Sequence, residues 1–311
     1  MNFDRETWTR VIIPFIIFTA IWGSTWIVIR DQLGTVPAQW SVAYRFAIAT
    51  VGMAILTKWK GHSLKPGPGF LAAAAVVGIS QFVVNFNGVY LAERYITSGL
   101  VATVFALLMV PNALLAWAWL GHKPTGRFLA ASLVAVGGIA LLFLHELEQN
   151  PTVDMRLLWI GIGWTIVGLL GAAISNVFQA REAVKHHSLL AILTWAMGIG
   201  AVIDAVLAFV LTGPPVIETR AGYWIGLIYL AIFASVICFS LYYPVVRRIG
   251  PGKAAYSSAI VPIIAMALST LFEGFQWTTL SIGGAALALA GTVLAMRARR
   301  VTAKVTNPDA G

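Results

Sequence analysis

Residues 98–123 read SGLVATVFALLMVPNALLAWAWLGHK, and residues 249–274 read IGPGKAAYSSAIVPIIAMALSTLFEG. Each is an apolar stretch with one proline near its middle and a polar exit. Pro111 and Pro262 stand 151 residues apart. The same offset relates Ser24 to Ser175, Arg30 to Arg181 and Gly99 to Gly250, and an offset of 153 relates Gly138 to Gly291. The exits differ in charge, with His122-Lys123 in the first copy where the second has Glu273-Gly274. The loop holding Lys58, Lys60 and Lys65 likewise corresponds to the segment from Gly213 to Gly222, which holds Glu218 and Arg220. Arg30 and Arg181 are the exception, because both copies keep the base.

Working outward, ten hydrophobic stretches emerge near residues 11–29, 38–57, 70–91, 98–120, 128–144, 157–179, 191–212, 223–245, 254–272 and 277–296. A spanning helix needs about 20 apolar residues, so ten of them leave only short loops in 311 residues. The composition agrees, with 59% hydrophobic and 11% charged residues, against about 25% charged in a soluble domain. The expected fold is an all-α membrane protein of ten transmembrane helices. The first five-helix repeat covers 11–144, the second covers 157–296, and 145–156 forms a polar linker. Five crossings carry the chain to the other side of the bilayer, so the second copy is inverted. Inverted repeats build secondary transporters, whose substrate sites lie near the midplane where the halves meet.

Charge sets the orientation. One set of alternate loops and termini holds sixteen Lys and Arg; the other holds Arg30, Arg94, Arg156 and Arg220; Arg45 lies within a span. Basic loops stay in the cytoplasm, so both termini are expected there, with Asp31, Glu93 and Glu273 among the acids of the opposite loops. The net charge of +9 is read as this loop bias rather than as a nucleic-acid surface. The span after the polar segment Met1 to Arg10 is full length and is read as a retained helix. Cys238 is the sole cysteine and lies in a span, so no intrachain disulfide is expected.

Proline lacks an amide hydrogen and clashes with the carbonyl four residues earlier. Pro111 and Pro262 therefore release the carbonyls of Leu107 and Ser258, and Pro244 that of Ser240. Such carbonyls face protein or a wet cavity, as simple packing kinks or as acceptors for a substrate ammonium.

The run Trp22-Gly23-Ser24, the pair Arg45-Phe46, and Pro262 eleven residues before Glu273 resemble the EamA-type carriers of the drug/metabolite transporter superfamily. The resemblance covers about residues 11–298. It implies a ten-helix inverted-repeat fold in the inner membrane and export of metabolites, often amino acids. The aromatic content is similar to that of the aromatic amino-acid exporters of the family. One departure is His122, at a place where the family often carries Glu.

Arg45 and Asp204 are the charges within the spans. Both lie about 10–12 Å from the same membrane edge at roughly 1.5 Å per residue. Arg45 has three readings: a partner of Asp204, a receptor for a substrate carboxylate or gating group, or a side chain reaching for the headgroups. Softer polar residues mark candidate substrate-binding faces. Gln81 and Asn85 are one helical turn apart, with Phe82 beside them. Trp164, Ser175 and Gln179 lie along one stripe with Gly168. Trp22, Ser24 and Thr25 cluster in the first span, and Phe239, Tyr242 and Tyr243 in the eighth. These residues serve either a cavity for a zwitterion with an apolar side chain or helix packing. The small-residue pairs Gly168/Ala172, Ala196/Gly200 and Gly284/Ala288 are read as close intramolecular contacts.

Other classes fit less well. His145-Glu146 is followed by Gln149 where a zinc protease needs a second His, and no phosphate-binding glycine loop is present. No catalytic residue, metal or cofactor is expected, so an intramembrane enzyme is the weaker class. A channel calls for a pore loop or charged rings. Phosphorylated substrates call for several buried bases. Efflux of hydrophobic organic cations or drugs is the alternative cargo, with Asp204 as its acid. Neutral or zwitterionic metabolites, moved by alternating access, are the expected partners besides the lipid bilayer.

Overall fold

The computed structural model describes residues 5–149, 154–181, 184, 186–249 and 257–298. Gly250, residues 254–256 of the ninth stretch, linker residues 150–153, the side chain of Tyr243, and Lys185, Lys253, Arg299, Arg300 and Lys304 lie outside them.

Within the described residues the chain is all helix and loop. Lipid offers backbone groups no hydrogen-bond partner, and a helix satisfies them internally. The ten helices are α1 (Trp8–Asp31), α2 (Ala38–Trp59), α3 (Phe70–Ala92), α4 (Ser98–Leu120), α5 (Gly126–Gln149), α6 (Met155–Gln179), α7 (Leu189–Thr212), α8 (Ala221–Tyr242, continuing to Ile249), α9 (Ser257–Phe272) and α10 (Thr279–Ala298). Nine are long and apolar enough to span a bilayer, and α9 is a shorter apolar helix of 16 residues. Helix α5 extends past the span expected at 128–144 and through the start of the expected linker. His145 is buried within it, and its Nδ1 lies 2.9 Å from the Thr278 hydroxyl.

The packing has two-fold logic. Helices α5 and α10, α2 and α7, and α4 and α9 pair with their own counterparts. The largest remaining contacts come in matched sets: α1 on α9 mirrors α6 on α4, α3 on α7 mirrors α8 on α2, and α3 on α6 mirrors α8 on α1. The helix ends repeat as well. Gly121 closes α4 at φ +72°, and Gly274 follows α9 at φ +71°, the left-handed region that glycine enters without a Cβ penalty. In both turns an amide reaches back six residues, His122 N to Ala116 O (3.2 Å) and Phe275 N to Ser269 O (3.3 Å).

Small residues set the close approaches. A Cβ on Gly88 of α3 would sit 2.6 Å from the backbone nitrogen of Gly168 in α6, and one on Gly284 of α10 would sit 2.8 Å from the carbonyl oxygen of Gly138 in α5. A Cβ on Gly200 of α7 would meet the Cβ of Phe82 at 2.7 Å. The small-residue pairs read from the sequence are thus contacts between helices of one chain.

Sequence periodicity does not reveal one shared distortion. Gly78–Asn85 of α3 and Tyr229–Ile237 of α8 are wound as π-helix, and their first residues are 151 apart. Wider winding shifts the backbone hydrogen bonds to donors five residues on, and such segments often mark functional sites. Near Pro111, α4 tightens to a 3-10 turn over Ala106–Leu108.

Candidate functional site

The two π segments face one another across a cavity of about 240 Å³. Its wall reaches from Ile29, Arg45 and Val89 in the third of the bundle farthest from the basic loops to Gln179, Leu193, Tyr242 and Ser257 at the helix ends beside those loops. The cavity therefore runs from mid-bundle toward the basic face.

Several sequence candidates meet in this wall: Trp22, Thr25, Gln81, Asn85, Gln179, Phe239 and Tyr242, together with Arg45 and Pro262. Ser24, Phe82, Trp164, Ser175, Pro111 and Asp204 do not line it. Ser24 is turned to the Tyr229 hydroxyl at 2.7 Å. Phe82 is fully buried behind the wall against Phe46, with ring centroids 4.8 Å apart. Trp164 is exposed on the outside of the bundle. Ser175 is buried under Gln179 and accepts its Nε2 at 3.1 Å. Wall residues that periodicity did not single out include Phe86, Phe105 and Asn176. These fall on faces that read as core or lipid contact, and only the tertiary arrangement turns them inward.

The π segments hold the polar groups in fixed orientations. Trp22 donates Nε1–H to the carbonyl of Ala234 in the α8 segment at 3.1 Å. In the α3 segment, Asn85 donates Nδ2–H to the carbonyl of Gly168 at 2.9 Å, and its Oδ1 accepts from Gln81 Nε2 at 3.3 Å. A carbonyl can only accept, so this chain fixes both amides and turns the Gln81 nitrogen toward Asn85.

Arg45 is 2% exposed, so its guanidinium does not reach the headgroup region. It lies over the Phe86 ring at 4.4 Å and the Phe46 ring at 5.3 Å, and Nη2 donates to Ser235 Oγ at 3.4 Å. Its Nε and Nη1 make no hydrogen bond of ordinary length, and the buried Tyr90 hydroxyl lies beside the guanidinium. Asp204 does not pair with it. Asp204 is fully buried and its Oδ1 accepts from Asn87 Nδ2 at 2.7 Å. Equal depth places the two residues at one level but on different faces. Consequently Asp204→Ala is expected not to restore transport lost in an Arg45→Ala variant. Measuring both single variants and the double variant in one uptake assay checks this, and recovery in the double variant would restore the ion-pair reading.

The far face is closed. Arg220 holds Asp31 through Nη1 at 2.8 and 3.1 Å. Glu273 accepts from Ser98 N at 3.2 Å and Ser98 Oγ at 2.5 Å, and lies 3.6 Å from Arg30 Nε. Gln32 donates to the Tyr223 carbonyl at 2.9 Å, and Ser41 meets the Tyr223 hydroxyl at 2.8 Å. Above this seal lies a second cavity of about 650 Å³, lined by Arg30, Arg94, Thr35 and Gln39. Ile29 and Arg30, consecutive in α1, line the lower and upper cavities respectively. Glu93, read from the sequence as a loop acid, is fully buried at this level.

The EamA-like transporter family profile matches residues 9–144 and again 159–297. The chain belongs to the EamA-like transporter family. Among curated relatives, the protein PagO of Salmonella typhimurium is 22% identical over 88% of each chain. The inner membrane transporter YedA of Escherichia coli K12 is 27% identical over 84% of each. A probable terminal-alkyne amino-acid exporter of Streptantibioticus cattleyicolor is 23% identical over 96% of this chain and 95% of its own. A solved crystal structure, 16% identical, superposes with a TM-score of 0.66 over 96% of this chain and 100% of that one, so the fold is shared. This EamA-family chain is a multi-pass membrane transporter, and its double profile match coincides with the two five-helix sets.

Proposed function

We propose that the chain exports small zwitterionic metabolites, aromatic or other apolar amino acids first among them, across a bacterial inner membrane by alternating access. The observation that carries this reading is Arg45, a buried guanidinium in the cavity wall that makes no ion pair among the described residues and whose Nε and Nη1 make no hydrogen bond of ordinary length. A carboxylate is the natural complement of such a fork. Gln81, with its nitrogen turned to Asn85, presents Oε1 as an acceptor for the substrate ammonium. It lies one helical turn, about 6 Å, nearer the basic face than Asn85. The rings of Trp22, Trp26, Phe86, Phe105, Phe239 and Tyr242 supply the apolar wall.

Size and charge favour this cargo over a hydrophobic cation. The 240 Å³ cavity lies below the roughly 300–1,000 Å³ typical of drug-sized sites. No acidic residue is among those lining it. The relatives' names support an inner-membrane carrier, one of them an amino-acid exporter. With the basic loops cytoplasmic, both termini are cytoplasmic and the sealed far face makes this conformation inward-facing. Few protonatable groups line the path, so gradient-driven exchange needs no obligatory proton.

Counterflow in proteoliposomes tests the reading. Labelled phenylalanine-like amino acids are expected to exchange without a pH gradient, and the matching decarboxylated amines are expected to be at least tenfold poorer substrates. Preference for the amines would replace the amino-acid reading with cation efflux.

A further inference from the structure

The buried acid at the seal has no part in substrate binding. Glu93 is the first residue after α3 and is fully buried. Neither of its carboxyl oxygens has a hydrogen-bond partner, although its backbone carbonyl accepts from Arg30 Nη1. Arg30 also faces Glu273, whose side chain is 9% exposed and whose two oxygens are engaged by Ser98. The charged and titratable groups around Glu93 are Arg30 of α1, Arg45 of α2, Tyr90 of its own helix, and Glu273 beyond α9. Asp204 of α7 is held by Asn87, and Tyr223 of α8 by Ser41.

An anion at Glu93 would be an unsolvated charge beside a second carboxylate. Burial first, and Glu273 second, raise its proton affinity well above that of an ordinary glutamate, while Arg30 and Arg45 act in the opposite direction. A neutral acid avoids the cost of an unpaired buried charge.

We propose that Glu93 is a proton latch on the far-face seal, an un-ionised acid while the seal is closed and a hydrated carboxylate once it opens. On opening, the carboxyl O–H bond breaks and its proton passes to water in the cavity lined by Arg30 and Arg94. On closure the carboxylate takes a proton back from the same side. The cycle moves no net proton across the membrane, so it adds pH control to an exchange that needs no proton.

The sign follows from linkage. The closed state holds the proton more tightly than the open state, so acid favours closure. Between the ordinary glutamate range and the raised value of the closed state, each pH unit favours opening by at most tenfold. Above the raised value the dependence ends.

Spin labels placed by Arg94→Cys and Gln276→Cys in a Cys238→Ala background flank the seal. Double electron–electron resonance in lipid nanodiscs reads its closed and open populations as pH is varied. The closed distance is expected to dominate in acid and the open one to grow with alkali. Glu93→Gln, which keeps the neutral form, is expected to stay closed throughout. Glu273→Gln removes the neighbouring carboxylate and leaves Arg30 to face Glu93, which lowers the closed state's proton affinity, so its pH-driven opening is expected to level off at a lower pH than in wild type. If Glu93→Gln does not fold, the pH at which opening levels off in Glu273→Gln decides the matter. A wild-type distribution indifferent to pH, a Glu93→Gln protein that opens at the wild-type midpoint, or a Glu273→Gln protein whose opening levels off at the wild-type pH or above would overturn the latch.

Discussion

Arg45→Leu is expected to abolish recognition of zwitterionic substrates while leaving the folded protein as stable as before, or more so. Arg45 is buried without a carboxylate partner. Its stacking on Phe86 at 4.4 Å offsets part of its desolvation, at about 2 kcal/mol for a buried cation–π contact. Replacing a buried ionic group by a hydrophobic one of similar volume is often neutral or stabilising. For a bound carboxylate the balance is reversed. Truncating one partner of a buried charge pair costs about 2–5 kcal/mol, roughly 30- to 4,000-fold in affinity. Arg45→Lys keeps the charge but lacks the planar fork, so intermediate binding is expected. Substrate affinity and thermal melting measured on the same purified variants separate the roles. A site residue loses affinity at constant melting temperature. A large drop in melting temperature for Arg45→Leu would make Arg45 structural and remove the main support for an amino-acid cargo.

Much of this architecture is written in the chain because lipid is a demanding solvent. Ten apolar stretches with alternating loop charge allow few foldings, and the equal spacing of Pro111 and Pro262 marks the duplicated unit. Gln81 and Asn85 were legible as a face because four-residue spacing stacks side chains on any helix. The π segments were not. At the 151-residue offset the two segments share only Phe82 with Phe233, so little local announces the distortion. Ser24 and Ser175 show the reverse failure. Both are polar at repeat-related positions, yet one is spent on Tyr229 and the other under Gln179. A hydroxyl that satisfies itself within the protein looks, in sequence, like one that faces a cavity. Glu93 was misplaced because an acid one residue beyond an apolar stretch reads as a loop. Only the approach of α1 and the segment after α9 encloses it.

Trp22→Ala is expected to weaken both the fold and the site, because one indole joins two functions. Its ring packs against Phe18, Phe239 and Tyr242, with centroids 5.4, 5.7 and 5.1 Å away. Its N–H meets the Ala234 carbonyl at 3.1 Å, within the π-wound segment of α8. Removing a large aromatic from a packed cluster costs about 3–5 kcal/mol, and Trp22, only partly buried, belongs at the lower end. Losing that hydrogen bond adds about 0.5–1.5 kcal/mol. Trp22→Phe keeps most of the ring contact but not the donor, so its loss is expected to be that second increment alone. Melting temperature and substrate affinity across the three proteins resolve the contributions. The alanine protein is expected to lose on both measures, the phenylalanine protein mainly on stability. If Trp22→Phe melted with wild type while Trp22→Ala did not, the indole hydrogen bond would carry no weight. The α8 π segment would then meet Trp22 by packing alone, and the cavity wall would owe its shape to ring contact rather than to the indole hydrogen bond.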